Sequence, residues 1–174
     1  MSSAAPATGA SEALARLIAG THTGAAFESA LQAARARLVT AQTAPCTPND
    51  ISDLASRALT SYGTAFRHAF VTATNLAATP GAAIIAAAIV SAELAERGET
   101  DVVEGIAIGR EVAARLERAL TLDGPWDAVA VVAGIAAAAA AARAAALDAE
   151  AARNAIGLAA TQAAGLGVTD GTPA

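Results

Sequence analysis

Residues 128–142 form a run of fifteen positions in which no side chain can form a hydrogen bond. A helix built from this run is apolar around its whole circumference, and such a helix is normally buried inside a larger structure. Alanine dominates the run, and it combines the highest helix propensity with a side chain short enough for neighbouring helices to approach closely. Residues 125–147 are therefore predicted to form a central helix, surrounded by other helices, that is the most buried element of the fold.

The rest of the chain is predicted to be helical as well, which makes the fold class all-α, with about eight helices bundled around the alanine-rich one. No apolar run has the composition of a β-strand. Thr79 and Thr100 are predicted N-caps, and Gly98 is predicted to end the helix that begins at Pro80. Asp148 is predicted to cap the last helix. The predicted helical segments are residues 12–18, 25–39, 48–59, 64–75, 80–97, 101–120, 125–147 and 148–166.

Two glycines stand four residues apart on the predicted helix over residues 101–120. Gly105 and Gly109 fall on the same face of that helix because four residues make about one turn. The absence of side chains there lets another helix approach closely. The spacing therefore predicts a close helix crossing.

Charge and composition exclude several classes of function. A net charge of -5, a pI of about 4.9 and the lack of a basic stripe argue against nucleic-acid binding. All eleven basic residues are arginine, which excludes chemistry that needs a lysine Schiff base. The single cysteine, Cys46, is interpreted as an incidental loop thiol and fits a reducing cytoplasm. The apolar run is shorter than the ~20 residues that span a bilayer. A cytoplasmic bacterial protein without membrane or nucleic-acid partners is expected.

The sequence predicts one folded domain. Residues 1–11 are expected to be a disordered lead-in, residues 12–166 a single helical domain and residues 167–174 a frayed tail. No metal site is predicted, because His22 and His68 lie far apart in the sequence and do not form a coordination set. No cofactor is predicted either, since the chain has no glycine-rich phosphate loop.

Two segments, EGIAIGREVAARLERAL and GIAAAAAAARAAALDAEAARNAIGLAATQAAGL, resemble the N-terminal helical domain of the MmgE/PrpD family. The segments EALARLIAG and RHAF fit the same pattern, so the resemblance covers about residues 12–166. This family includes 2-methylcitrate dehydratase and cis-aconitate decarboxylase. The resemblance implies a dimerising helical domain and, in longer members, a second α/β domain that this chain does not reach. A homodimer is therefore expected, also because alanine-rich helices each bury little surface.

The motifs that supply the active site of the family are altered in this chain. The family pattern H-A-x-D-F-D-D-T, followed by H-P, corresponds here to HAFVTATN over residues 68–75, followed by Thr79-Pro80. A second family histidine, in an F-H-P segment, corresponds to the segment that contains Trp126 and Asp127. The family's lysines have no counterpart. The resemblance therefore implies a pocket that has lost the bases and cations of the family lyases and has become more apolar.

The resemblance also indicates which residues line that pocket. The predicted substrate-binding residues are Val71, Thr74, Asn75, Thr79 and Trp126, and the candidate catalytic residues are Asp127, Tyr62 and His68. Structural roles stay open for these residues. Asp127 can instead stabilise the first turn of the central helix, and Trp126 can fill the core. Tyr62 can serve in packing, and His68 can be solvated.

Three hypotheses about function follow. In the first, the chain is a stand-alone helical protein that binds a largely apolar small molecule and promotes a cyclisation or isomerisation by holding it in a reactive shape, a role typical of secondary metabolism. In the second, it is a non-catalytic homodimer or a partner subunit of a split MmgE/PrpD protein. In the third, it retains lyase activity on a citrate-like acid.

Overall fold

The computed structural model describes residues 9–43, 80–121 and 126–163, and every regular element within these ranges is an α-helix. The all-α fold class is therefore confirmed. The predicted helices over residues 48–59 and 64–75 lie outside the described residues, so these ranges do not test the count of eight. The described helices are α1 (Ala10–Ala19), α2 (Ala25–Thr43), α3 (Pro80–Leu94), α4 (Glu99–Ala119), α5 (Ala128–Ala144) and α6 (Ala149–Thr161).

Helices α4 and α5 pack closely because α4 presents glycine at the contact. A Cβ atom placed on Gly105 would lie 2.7 Å from the carbonyl oxygen of Ala140 and 2.9 Å from the Cβ of Ala144. One placed on Gly109 would lie 2.8 Å from the Cβ of Ala140 and 2.9 Å from the carbonyl oxygen of Ala136. Residue numbers rise along α4 as they fall along α5, so the two helices are antiparallel. The predicted role of Gly105 and Gly109 in a close helix crossing is confirmed.

Helix α5 contacts α1, α3, α4 and α6. Its buried residues are Val132, Ala136, Ala139, Ala140, Ala142 and Ala144. Ala128, Ala130 and Gly134 are exposed, and Trp126 keeps 46% of its surface exposed. The prediction that the apolar run over residues 128–142 is buried around its whole circumference is therefore wrong for the beginning of α5. The longest continuous buried stretch in the described ranges is instead residues 105–109 of α4.

The buried side chains form two clusters that share α4 and α5. One cluster joins α2 and α3 to α4 and α5 and includes Leu38, Ile84 and Ile106. The other joins α1 and α6 to the opposite side of α4 and α5 and includes Ile18 and Ile156. The helix pair α4–α5 is thus the middle layer of the described structure, and its alanines and glycines allow helices to pack on both sides.

Helix α3 ends at Leu94, before the predicted stop at Gly98. Glu96 adopts a left-handed φ of 55°, and the Arg97 N–H group donates to the carbonyl oxygen of Ala92 at 2.7 Å. This hydrogen bond satisfies a carbonyl that the end of the helix would otherwise leave without a partner. The backbone therefore leaves the helix at a glutamate, although glycine is the residue that most often takes this conformation.

Helix α4 begins at Glu99, and Gly98 is its N-cap residue. The prediction of Thr100 as the N-cap is wrong. The carboxylate of Asp101 accepts a hydrogen bond from the Gly98 N–H group at 3.2 Å. This hydrogen bond stabilises a helix that begins at Glu99, before Thr100.

Helix α5 ends in the same way as α3. Ala146 adopts a left-handed φ of 54°, and the Leu147 N–H group donates to the carbonyl oxygen of Ala142 at 2.9 Å. Asp148 then begins α6, and its Oδ1 atom accepts a hydrogen bond from the Ala151 N–H group at 2.8 Å. The predicted N-cap at Asp148 is confirmed.

Arg143, the residue that follows the alanine run, connects three helices. Its Nε and Nη2 atoms donate to Oε2 of Glu104 on α4 at 3.1 and 2.6 Å. Its Nη1 atom donates to the carbonyl oxygens of Ile18 at 3.3 Å and Gly20 at 2.9 Å, at the C-terminal end of α1. Carbonyl groups at that end of a helix lack partners within the helix, and a cation there is favourable. Arg143 therefore holds α1 and α4 against the end of α5.

Within the three described ranges, no helix combines the length and the apolar composition that crossing a membrane requires.

Candidate functional site

One end of the helical layer brings together the beginnings of α3 and α5 and the second half of α4. Ile84, near the start of α3, lies 3.0 Å from the position of a Cβ atom on Gly109, so α3 and α4 meet there. Because α4 and α5 are antiparallel, the first turns of α5 lie toward the same end. The N–H groups of a helix start carry partial positive charge, so the first turns of α3 and α5 favour negatively charged groups beside them.

Asp127 occupies the position immediately before α5. Its carbonyl oxygen accepts a hydrogen bond from the Val131 N–H group at 3.1 Å, and its side chain is partly buried. This is the N-cap position of the helix, where a carboxylate is stabilising. The geometry matches the helix-stabilising alternative for Asp127, and its candidate catalytic role stays a prediction.

Trp126 lies beside Asp127 and is 46% exposed. This exposure does not fit the interpretation of Trp126 as a fully buried core residue. A cavity lies between α2, α3 and α4 at this end of the layer, and neither Trp126 nor Asp127 is among its described lining residues. The remaining predicted site residues lie outside the described residues: Tyr62, His68, Val71, Thr74, Asn75 and Thr79.

A cavity of about 290 Å³ lies between α2, the start of α3 and the second half of α4. Four small or apolar residues contribute to its wall, and three charged residues face the same space. The described lining residues are Gly81, Ile84, Ala113, Ala114, Arg37, Arg110 and Glu117. The cavity is therefore a small apolar space with a charged rim, the combination that small-molecule sites usually show.

The charge of Arg110 is disfavoured by its surroundings in the cavity. Partial burial lowers the pKa of Arg110, the positive charge of Arg37 lowers it further, and the negative charge of Glu117 acts in the opposite direction. Among the described residues, no carboxylate forms an ion pair with Arg110, in contrast to the pairing of Arg143 with Glu104. Two guanidinium groups and one carboxylate leave the cavity with an excess of positive charge.

The sequence analysis did not identify Arg37, Arg110 or Glu117 as site residues. A signal for Arg110 was present, since it directly follows residues 105–109 of α4, an apolar stretch where a charge is unusual. Its proximity to Arg37 could not be predicted, because the two residues lie on different helices far apart in the sequence. In the described ranges, no three His, Cys, Asp or Glu side chains are placed to bind a metal ion together.

A sequence model of the MmgE/PrpD N-terminal domain matches residues 10–174, nearly the whole chain. No curated protein and no solved structure matches the chain significantly. The match includes all six described helices and the two segments that carry the resemblance in the sequence. The chain therefore belongs to the MmgE/PrpD family and corresponds to its N-terminal domain.

Proposed function

We propose that this member of the MmgE/PrpD family binds a small molecule in the cavity between α2, α3 and α4. The observation that carries the proposal is the cavity itself, with a volume of about 290 Å³ and walls formed by three helices. The cavity opens to solvent past the exposed residues Arg37 and Glu117, and concave spaces of this kind are where small molecules usually bind. It lies at the end of the layer where α3 begins.

The ligand is largely apolar, and the reaction is a cyclisation or isomerisation. Gly81, Ile84, Ala113 and Ala114 give the cavity walls without hydrogen-bonding side chains, which favours an apolar ligand body. Such reactions are accelerated when a flexible molecule is held in one reactive shape, and this requires a shaped cavity more than a catalytic base. Glu117 is the one carboxylate among the described lining residues and is therefore the candidate general base.

Lyase activity on a citrate-like acid is not favoured by the sequence. Val71 and Ala73 stand where the family has acids, and Thr79 stands where the family has a histidine. Loss of a general base typically costs two to four orders of magnitude in rate. Incubation of the purified protein with 2-methylcitrate or cis-aconitate, followed by NMR, should therefore show no product. Measurable turnover of either acid would contradict this part of the proposal.

The binding proposal is tested by filling the cavity. Ala114→Leu places a larger side chain into the wall, and Ala119→Leu makes the same change on the exposed end of α4 as a matched control. Hexanoate and hexan-1-ol serve as six-carbon probes. At least one probe should raise the melting temperature of the unmodified protein and of the Ala119→Leu variant, but not that of Ala114→Leu. The proposal fails if neither probe has an effect, or if Ala114→Leu responds as strongly as its control.

A second candidate function is that of a homodimeric or partner subunit without catalysis. The observation that favours it is the exposed beginning of α5, where Ala128, Ala130 and Gly134 lie at the surface within the apolar run of this helix. Apolar surface of this kind is often covered by another chain. Light scattering at micromolar concentration tests the homodimer: twice the mass of one chain supports it, and the mass of a single chain contradicts it.

A further inference from the structure

Two arginines of different helices face one small cavity whose other described walls are mostly apolar. Arg37 comes from α2 and Arg110 from α4, and the positive charge of Arg37 is unfavourable for that of Arg110. We infer that Arg37 and Arg110 bind the acidic head group of a small ligand whose remaining body is apolar. This inference rests on the proposed function, because it assigns the class of ligand that enters the same cavity.

The first argument is the balance of charge around the cavity. Arg110 is partly buried and Arg37 is exposed, and two like charges that face the same space repel each other. Glu117 is the one carboxylate among the described lining residues, and it offsets only one of the two positive charges. The chain as a whole carries a net charge of -5, so this local excess of positive charge runs against the overall composition. A bound anion would remove the imbalance.

The second argument is that Arg110 is the one arginine of the described helices that is both partly buried and without an ion pair, since the other unpaired ones, Arg35, Arg37, Arg118 and Arg153, are exposed. Arg16 pairs with Glu12, Arg115 with Glu111 and Arg143 with Glu104. In two of these pairs, the arginine follows its acid by four residues on the same helix, a spacing that brings the side chains together. No acid stands at that spacing before Arg110, where the residue is Ile106. Within the described ranges, Arg110 is left to face the cavity without an ion-pair partner.

The third argument concerns the kind of anion. A guanidinium group presents its N–H donors in a planar fork that matches a carboxylate, and such charge-assisted hydrogen bonds are strong. One carboxylate on the ligand balances the excess charge of the cavity, whereas a tricarboxylate would bring more negative charge than the two arginines offset. Ile84, Ala113 and Ala114 provide no hydrogen-bond donors for further polar groups. The ligand class is therefore a small monocarboxylic acid with an apolar body.

The experiment compares hexanoate with hexan-1-ol, which share a six-carbon body and differ in charge. Binding is measured by NMR titration at low salt. Hexanoate should bind about tenfold more tightly than hexan-1-ol, and Arg110→Gln or Arg37→Gln should remove that preference. The matched controls are Arg115→Gln on α4 and Arg35→Gln on α2, which do not line the cavity and should keep it. Glu117→Gln should tighten hexanoate binding a few-fold, because it removes the competing negative charge.

The outcomes separate this inference from the proposed function. Equal affinity for hexan-1-ol and hexanoate, both weakened by Ala114→Leu, would overturn the anion site and leave the cavity as an apolar binding site. Failure of both probes to bind would overturn both proposals. A preference for hexanoate that survives Arg110→Gln and Arg37→Gln would overturn the assignment of these residues. Inorganic phosphate that binds as tightly as hexanoate would overturn the apolar-body part of the inference.

Discussion

The two ends of α4 hold arginines in opposite situations. Toward its beginning, Arg143 reaches Glu104 and two carbonyl oxygens of α1, so each part of its guanidinium group has a partner. In the second half of the helix, about 9 Å further along its axis, Arg110 shares a cavity with Arg37 and Glu117 and has no ion pair in the described ranges. Arg143 thus stabilises the contact between helices, whereas Arg110 carries a positive charge that no described ion pair neutralises.

This difference shows that partial burial of an arginine does not by itself indicate function. Arg143 is only 18% exposed, yet its hydrogen bonds account for its position in structural terms. Arg110 is also partly buried, but burial and the positive charge of Arg37 lower its pKa, and none of the described carboxylates forms an ion pair with it. The partners of a charge, more than its burial, distinguish a structural residue from a candidate ligand-binding residue.

The largest expected effect concerns the tightly packed end. Gly105→Ala adds a Cβ atom that would lie 2.7 Å from the carbonyl oxygen of Ala140, so α4 and α5 must separate. We expect urea unfolding to show a loss of about 3 kcal/mol in the free energy of unfolding, at the upper end of overpacking effects.

The control for this prediction is Gly134→Ala on α5. No atom lies within 4 Å of a Cβ atom placed there, and the position is exposed. Alanine should raise the free energy of unfolding by about 0.5–1 kcal/mol because it is the better helix former. If Gly105→Ala is as harmless as Gly134→Ala, the close crossing of α4 and α5 is wrong.

The next effect in size concerns the paired arginine. Arg143→Met keeps an apolar stem but removes the hydrogen bonds to Glu104, Ile18 and Gly20. We expect a loss of about 2 kcal/mol, since a carboxylate and two helix-end carbonyls lose their partner. Arg115→Met is the control: its pair with Glu111 is exposed and should contribute less than about 0.5 kcal/mol. Equal losses in the two variants would show that Arg143 is no more structural than a surface arginine.

The sequence predicted local features better than contacts between distant residues. The N-cap at Asp148 and the glycine crossing on α4 depend on residues a few positions apart, and both are confirmed. The exposed beginning of α5 was not predicted, because an all-apolar sequence does not specify which neighbours cover it. The proximity of Arg37 to Arg110 was not predicted either, because it depends on how α2 packs against α4.

Helix ends also show where sequence rules reach their limit. Gly98 was predicted to end α3, but the left-handed residue is Glu96, and Gly98 instead begins α4. Glycine favours both of these positions, so the residue alone could not distinguish the end of one helix from the start of the next. The sequence analysis named Trp126 and Asp127 for the candidate site, whereas the described lining of the cavity consists of other residues, among them Arg37, Arg110 and Glu117.

A smaller effect is expected where α5 ends. Ala146 has a left-handed φ of 54°, which is unfavourable for a residue with a Cβ atom. Ala146→Gly should raise the free energy of unfolding by about 0.5–1 kcal/mol, measured by urea unfolding. The adjacent Ala145→Gly should lower it, because a glycine there gains no relief from strain. Stabilisation by Ala145→Gly, or destabilisation by Ala146→Gly, would contradict the geometry of this turn.

The most direct test of the contrast between the two ends of α4 is the free energy of unfolding of Arg110→Met. This change removes the charge that Arg37 opposes and keeps most of the apolar stem of the side chain. The account predicts a free energy of unfolding equal to that of the unmodified protein within about 0.5 kcal/mol, or slightly above it. A loss as large as that of Arg143→Met would contradict it, because Arg110 would then be a structural residue whose charge the fold requires.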